Sequence, residues 1–239
     1  MKLSERISDW IKKQVEQAGK EGIVVGLSGG IDSSCAAVLS KKALGSNVAG
    51  LILPCNSNPM DAQLALKVAR KFDIKTKTMP LDNIFKGLIS MYPESSNISR
   101  ANLKPRLRMI TLYYFANTLN YLVAGTGNKS ELAVGYFTKY GDGGVDILPL
   151  GGLLKTEVRD LAIDLRIPKE IIDRAPSAGL WQDQTDEAEM GITYEKLDRI
   201  IKAIELGQTE TVDKTNLLKV KKMMEDSEHK RVPLPIFSV

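Results

Sequence analysis

The chain has 239 residues, is 43% hydrophobic and 26% charged, and carries a formal net charge of +4. That is the balance of an ordinary globule with enough apolar chain for one well-filled core. Lysine and arginine are interleaved with acids, which argues against a nucleic-acid surface; no apolar run approaches the roughly 18 residues of a membrane span; and two cysteines, Cys35 and Cys55, exclude a disulfide scaffold or a cysteine zinc site and fit a reducing, cytoplasmic setting.

Leu3, Ile7, Ile11 and Val15 recur every four residues and predict an opening amphipathic helix, not a signal peptide, that ends near Gly19. Ile23, Val24 and Val25 form a β-branched run, read as a buried strand. Gly26, Gly29 and Gly30 then make a tight turn in which no Cβ blocks a close backbone approach. Asp32, Ser33 and Ser34 are helix-capping residue types, and the helix they open is expected to run to Leu44. Strands are predicted at 48–53 and 74–79 and helices at 59–72 and 81–92, with a surface turn at 94–97. A long helix over 103–119 carries Arg106 and Arg108, and a fourth strand at 121–124 runs into a second glycine turn, Gly125-Thr126-Gly127-Asn128.

Strand and helix alternate four times with short connections. That pattern predicts an α/β fold, a doubly wound parallel sheet flanked by helices on both faces. Ligands collect at the carboxyl ends of such strands, where both glycine turns fall. Residues 135–144 are glycine-rich and polar, 148–152 form an apolar turn, and 155–165 are helical, with a short helix starting at Pro168. Residues 176–191 are acidic and without periodicity, which suggests a lid over a site. Helices at 194–206 and 212–224 make a helical C-terminal part, before a proline-bearing tail at 231–239. No internal repeat divides the chain, so one domain over residues 1–239 is expected.

Strand, glycine turn and helix N-terminus together present free N–H groups and a positive dipole end to an anion. A phosphate is expected there. The glycines are not followed by the Lys-Ser/Thr pair of the common phosphate loop, and they do not form Gly-x-Gly-x-x-Gly. Ser28-Gly29-Gly30-Ile31-Asp32-Ser33 instead resembles the pyrophosphate loop of the N-type ATP pyrophosphatase superfamily. Those enzymes hold the β,γ-pyrophosphate of ATP and cleave between the α and β phosphorus atoms. Asp32 is a poor phosphate contact, since like charges repel, and suits Mg²⁺ better. Downstream, Gly125-Thr126-Gly-Asn-Lys-Ser-Glu131, Phe137-Thr-Lys139-Tyr-Gly-Asp142-Gly-Gly144 and Pro149-Leu-Gly-Gly-Leu-Leu-Lys155 are similar to segments of the NAD synthetases. So are Pro176-Ser177-Ala-Gly-Leu-Trp181 and His229-Lys230-Arg231. The resemblance is nearest to the short, ammonia-dependent form. No amidase domain is appended, and two cysteines with one histidine offer no glutamine-hydrolysing triad.

The resemblance implies an adenine nucleotide alpha hydrolase-like fold and amidation of deamido-NAD with ammonia and ATP, giving NAD, AMP and pyrophosphate through an adenylated carboxylate. It also implies a cytoplasmic homodimer that uses Mg²⁺. ATP contacts carried over by position are Gly26, Leu27, Ser28, Gly29, Gly30, Ile31, Asp32, Ser33, Thr126, Lys155 and Ser177. Asp32 and Glu131 would hold Mg²⁺, and Arg106, Lys139, Asp146, His229 and Lys230 would bind deamido-NAD. Asp142, binding and deprotonating ammonium, and Lys155 are the catalytic candidates.

Without the resemblance, Glu131 reads as a first-turn glutamate favoured by the helix dipole and Asp142 as a turn aspartate. Arg106 and His229 then read as solvated surface groups. Cys35 and Cys55 read as small buried apolar residues. The aromatics Tyr113, Tyr114 and Phe115 belong either to the core or to a surface covered by a second copy. The competing functions are a GMP synthetase-like ligase and a non-catalytic adenine-nucleotide sensor. A tRNA-thiolating relative would need a reactive cysteine pair near the nucleotide, which Cys35 and Cys55, 20 positions apart, do not offer.

Overall fold

The structure, a computed structural model, describes residues 1–94, 96–179, 181 and 184–237. Among these, the strands are β1 (Gly22–Gly26), β2 (Val48–Ile52), β3 (Lys75–Thr78) and β4 (Tyr121–Ala124), in one parallel sheet of order β3-β2-β1-β4. Val25 pairs with Gly50 on one side and Ala124 on the other. Side chains alternate along a strand, so Ile23 and Val25 face one layer and Val24 the other, and all three are fully buried. A continuous apolar run is what a strand covered on both faces requires.

One face is covered by α1 (Leu3–Gln17), α2 (Ile31–Leu44), α3 (Pro59–Lys71) and α8 (Lys155–Asp164), whose Ile11, Leu39, Val68 and Val158 pack with Ile23 and Val25. The other face is covered by α4 (Asp82–Met91) and α6 (Leu103–Leu119), whose Phe85 and Ala116 pack with Val24, Leu51 and Val123. β3, Lys-Thr-Lys-Thr, is exposed throughout, and its lysines blunt the sheet edge against pairing with another strand. The doubly wound arrangement expected from the alternation is the one observed. The winding runs from β1 out to β3, then returns to place β4 on the far side of β1. That reversal opens a crevice at the carboxyl ends of β1 and β4.

A second apolar cluster lies beyond the sheet. It joins α7 (Lys129–Val134), α10 (Asp186–Met190), α11 (Tyr194–Leu206) and α12 (Lys214–Asp226) through Val134, Met190, Leu197, Ile201 and Val220. α8 ties the two clusters together. Leu154 at its N-cap belongs to the second, and Val158 and Leu161 belong to the first.

Several local expectations need correction. The N-cap of α2 is Gly30, in extended backbone and without a side-chain cap; Asp32, Ser33 and Ser34 lie inside the first turn instead. The surface turn expected at 94–97 runs at its end into a short helix, α5 (Asn97–Ala101), opened by Ser96, whose hydroxyl accepts from the Ser99 amide at 3.2 Å. Ser95 lies outside the described residues. Within 176–191, Thr185 caps α10 by accepting from the Ala188 amide at 3.3 Å. Leu180, Gln182 and Asp183 of that segment lie outside the described residues. α13 (Glu228–Arg231) leads into the tail, whose final residues, Ser238 and Val239, are likewise outside the described residues. The predicted short helix after Pro168 is α9 (Lys169–Ile172). Among the described residues no helix is long and apolar enough to cross a membrane.

Candidate active site

The crevice is a cavity of about 730 Å³ floored by the β1–α2 loop. The loop is closed by its own hydroxyls. Ser28 Oγ and Ser33 Oγ are 2.9 Å apart, Ser33 Oγ accepts from the Ser28 amide at 3.2 Å, and the Gly30 amide donates to Ser28 Oγ at 3.3 Å. Gly29 has φ +80°, and a Cβ there would lie 2.3 Å from the Asp61 carbonyl oxygen, so only glycine fits. Because Gly30 caps α2 without a side chain, the first-turn N–H groups of that helix have no capping acceptor. This is the arrangement of an anion site.

Opposite the loop stands Lys155, the first residue of α8. Its ammonium lies 2.5 Å from Asp32 Oδ2 and 3.1 Å from Glu131 Oε1, and the three side chains are 8%, 18% and 16% exposed. Burial alone would lower the Lys155 pKa, but Asp32 and Glu131 outweigh it and raise it above the ordinary lysine value. Burial raises the Glu131 carboxyl, with Lys155 pulling it down and Asp32 pushing it up. Asn128, fully buried, donates to Asp32 Oδ1 at 3.0 Å while its own carbonyl caps α7 at the Glu131 amide, 3.1 Å away. One side chain thus fixes both carboxylates.

Above about pH 7, where Glu131 is ionised, two carboxylates around one ammonium leave an excess negative charge, and Asp186 and Glu189 stand on the same cavity wall. Hard oxygens with excess negative charge suit a small divalent cation such as Mg²⁺, which takes one or two carboxylates together with phosphate oxygens and water. Among the described residues no group of three or more His, Cys, Asp or Glu is arranged to hold a metal by itself. The donor set therefore fits Mg²⁺ brought with a polyphosphate.

Of the residues expected at ATP, all but Gly29 line this cavity, as do Glu131, Asp142 and Lys230. Asp142 is exposed towards it and accepts from the Thr138 amide at 2.9 Å. The protein packed around its carboxylate raises its pKa, with the Thr138 amide pulling the other way. Lys230 donates to the Gly135 and Phe137 carbonyls at 2.8 and 3.0 Å.

Arg106, Lys139, Asp146 and His229 lie outside the cavity lining. Three of them form their own surface cluster. Arg106 donates to the Lys139 carbonyl at 3.3 Å, and the Lys139 ammonium donates to the His229 carbonyl at 2.5 Å. The carboxylate of Asp146 accepts from Tyr113 Oη at 2.9 Å and from the Val123 amide at 2.7 Å. Arg106 and Arg108 sit two positions apart, about 200° around a helix, so Arg108 lines the cavity while Arg106 faces solvent.

Sequence reasoning missed an inner ring of hydrogen-bonding groups. Tyr194 Oη lies 3.3 Å from Glu131 Oε1 and 3.0 Å from Asp186 Oδ2, and the Lys155 ammonium is 4.9 Å from its ring centre. Tyr136 Oη donates to Asp186 and Glu189 at 3.2 and 2.7 Å. Two signals for this ring were present in the chain. Asn128 and Glu131 have capping-box spacing, and Thr185 precedes Asp186 as an N-cap.

The family model described as NAD synthase matches residues 3–234. An NH(3)-dependent NAD(+) synthetase of Archaeoglobus fulgidus is 49% identical over 241 residues, covering 100% of this chain and 97% of the relative. One from Carboxydothermus hydrogenoformans is 48% identical over 236 residues, covering 96% and 95%. Among solved structures, an NMN synthetase from Francisella tularensis superposes with a TM-score of 0.92 at 38% identity, covering 99% of this chain and 98% of that one. An NH3-dependent NAD synthetase from Campylobacter jejuni, in complex with the nitrate ion, superposes with a TM-score of 0.87 at 31% identity and the same coverage.

Proposed function

The chain belongs to the NAD synthase family and its activity is ammonia-dependent NAD synthesis, a carbon–nitrogen ligation; on that premise we propose how its residues carry the reaction. The observation on which the proposal rests is the Lys155 ammonium held between Asp32 and Glu131 beside an uncapped helix N-terminus.

A carboxylate does not react with ammonia, because its oxygen is too poor a leaving group. A carboxylate oxygen of deamido-NAD attacks the α phosphorus of ATP, and the bond to the β,γ-pyrophosphate breaks. Ammonia then adds to the acyl carbon, and AMP departs with that oxygen, leaving the amide. The first-turn N–H groups of α2 and the Ser28 and Ser33 hydroxyls hold the pyrophosphate, and Lys155 turns from Asp32 to its oxygens. Thr126 and Ser177 contact the same ATP. Mg²⁺, held by Asp32 and Glu131, would neutralise charge on the departing pyrophosphate. Asp142, its pKa raised, takes a proton from bound ammonium and frees the nucleophile.

Deamido-NAD reaches from the cavity at Lys230 towards the cluster of Arg106, Lys139 and His229, and Asp146 binds it as well. That cluster lies on the surface, and on α6 the exposed Ile110 and Tyr114, four positions apart, share one face. A second copy covering that face makes the enzyme a homodimer. The whole of residues 1–239 acts as one domain, since α8 bridges both apolar clusters. Two buried free thiols suit the cytoplasm.

A second reading has one specific support, the superposition on an NMN synthetase. It makes nicotinate mononucleotide the carboxylate substrate at the same site. Offering ATP, Mg²⁺ and ammonium with either deamido-NAD or the mononucleotide decides. Preference for deamido-NAD in kcat/KM supports the proposal, and preference for the mononucleotide replaces it.

A further inference from the structure

α11 lies outside the sheet layers, yet two of its side chains one turn apart meet residues that build the site or adjoin it. The first is Tyr194, already placed against Glu131 and Lys155. The second is Asp198, 3% exposed. Its carboxylate accepts three hydrogen bonds: one from Ser130 Oγ at 2.5 Å, and two from the Thr156 amide and hydroxyl, each at 2.9 Å. Ser130 Oγ in turn accepts from the Lys155 amide at 2.9 Å. Ser130 directly precedes Glu131, and Thr156 directly follows Lys155. One carboxylate therefore joins the first turn of α7 to the first turn of α8, the turns that present the Glu131–Lys155 pair.

Its neighbours on the buried face of α11 are apolar. Leu197 and Ile201, on the same helix, are buried in the apolar cluster, and a buried carboxylate is tolerated only when its oxygens are hydrogen-bonded. At the N-terminus of α8 the negative charge also opposes the helix dipole favourably. The clamp grips backbone and short hydroxyls, so it fixes the root of Lys155 without engaging its ammonium.

We propose that Asp198 is a positioning residue: through Ser130 and Thr156 it sets the place from which Lys155, beside Glu131, meets the leaving pyrophosphate. This rests on the role given to Lys155 above, and a double-mutant cycle separates the two. Asp198→Asn, Lys155→Gln and the double variant are compared by kcat per folded molecule, the folded fraction being measured by circular dichroism. Asp198→Asn alone is expected to lower kcat at least tenfold, and less than twofold further in the Lys155→Gln background. Losses that multiply independently overturn the proposal, because a merely structural residue costs the same in both backgrounds. If Lys155→Gln alone keeps near-full kcat, the role of Lys155 fails and the proposal fails with it. If Asp198→Asn does not fold, Ser130→Ala enters the same cycle, with a loss of at least threefold expected only where Lys155 is present.

Discussion

Lys155 Nζ and Asp32 Oδ2 are 2.5 Å apart although 123 positions separate them in the chain. Each is in the first turn of its helix, and α2 and α8 pack side by side on one face of the sheet. A buried ion cluster of this kind contributes little to stability compared with apolar residues of the same size. Its value lies in holding a charge where a ligand's charge arrives.

Asp32→Asn leaves Glu131 as a partner for Lys155 and keeps an acceptor for Asn128. The variant is expected to fold, to lose about 1–2 kcal/mol of stability in denaturant titration, and to turn over at least about 100-fold more slowly. A near-normal rate at limiting Mg²⁺ contradicts the metal role of Asp32.

Burial raises the Glu131 carboxyl from 4.5 to about 7, with Asp32 pushing the same way and Lys155 opposing. A carboxyl raised in the fold holds its proton longer in the native state than in the unfolded chain. Its contribution to stability is therefore fullest below its ordinary value and is lost as pH rises through about 7. Without nucleotide or Mg²⁺, the wild type should lose stability between these values relative to Glu131→Gln. Parallel stability–pH curves from denaturant titration contradict this.

The fold was legible because β1, β2 and β4 are buried on both faces and so read as unbroken apolar runs ended by glycine or proline. The β1–α2 loop was legible because Gly29 must be glycine and the hydroxyls of Ser28 and Ser33 close the turn. Asn128, Asp186, Tyr194 and Asp198 were not. Each acts through partners 50 or more positions away or through a helix cap, and no local period records such contacts: Asn128 meets Asp32 across 96 positions and Asp198 meets Ser130 across 68. Arg106 and Arg108 look alike in the chain, and only the helix phase, fixed by packing, separates the cavity residue from the surface one.

Pro176, Ser177 and Gly179 line the cavity, and beyond them Asp186 is anchored by Tyr136 and Tyr194. The described part of this stretch, residues 176–179, 181 and 184–191, is expected to close over bound nucleotide. ATP with Mg²⁺ should slow its cleavage by thermolysin several-fold, followed by mass spectrometry of the fragments. Equal cleavage with and without ATP contradicts a lid.

Ile110 and Tyr114 are 60% and 67% exposed on one face of α6. Ile110→Asp places a charge in the proposed interface between copies. Light scattering after size-exclusion chromatography should give a dimer for the wild type and a monomer for the variant. A wild-type monomer contradicts the assembly.

In the proposed reaction the site grips pyrophosphate while the substrate carboxylate takes AMP. Deamido-NAD carrying ¹⁸O at both carboxylate oxygens, given ATP, Mg²⁺ and ammonium, provides the test. One ¹⁸O is expected in the phosphate of AMP for each NAD formed, with unlabelled pyrophosphate. Label in pyrophosphate, or NAD formed with no label in AMP, contradicts it.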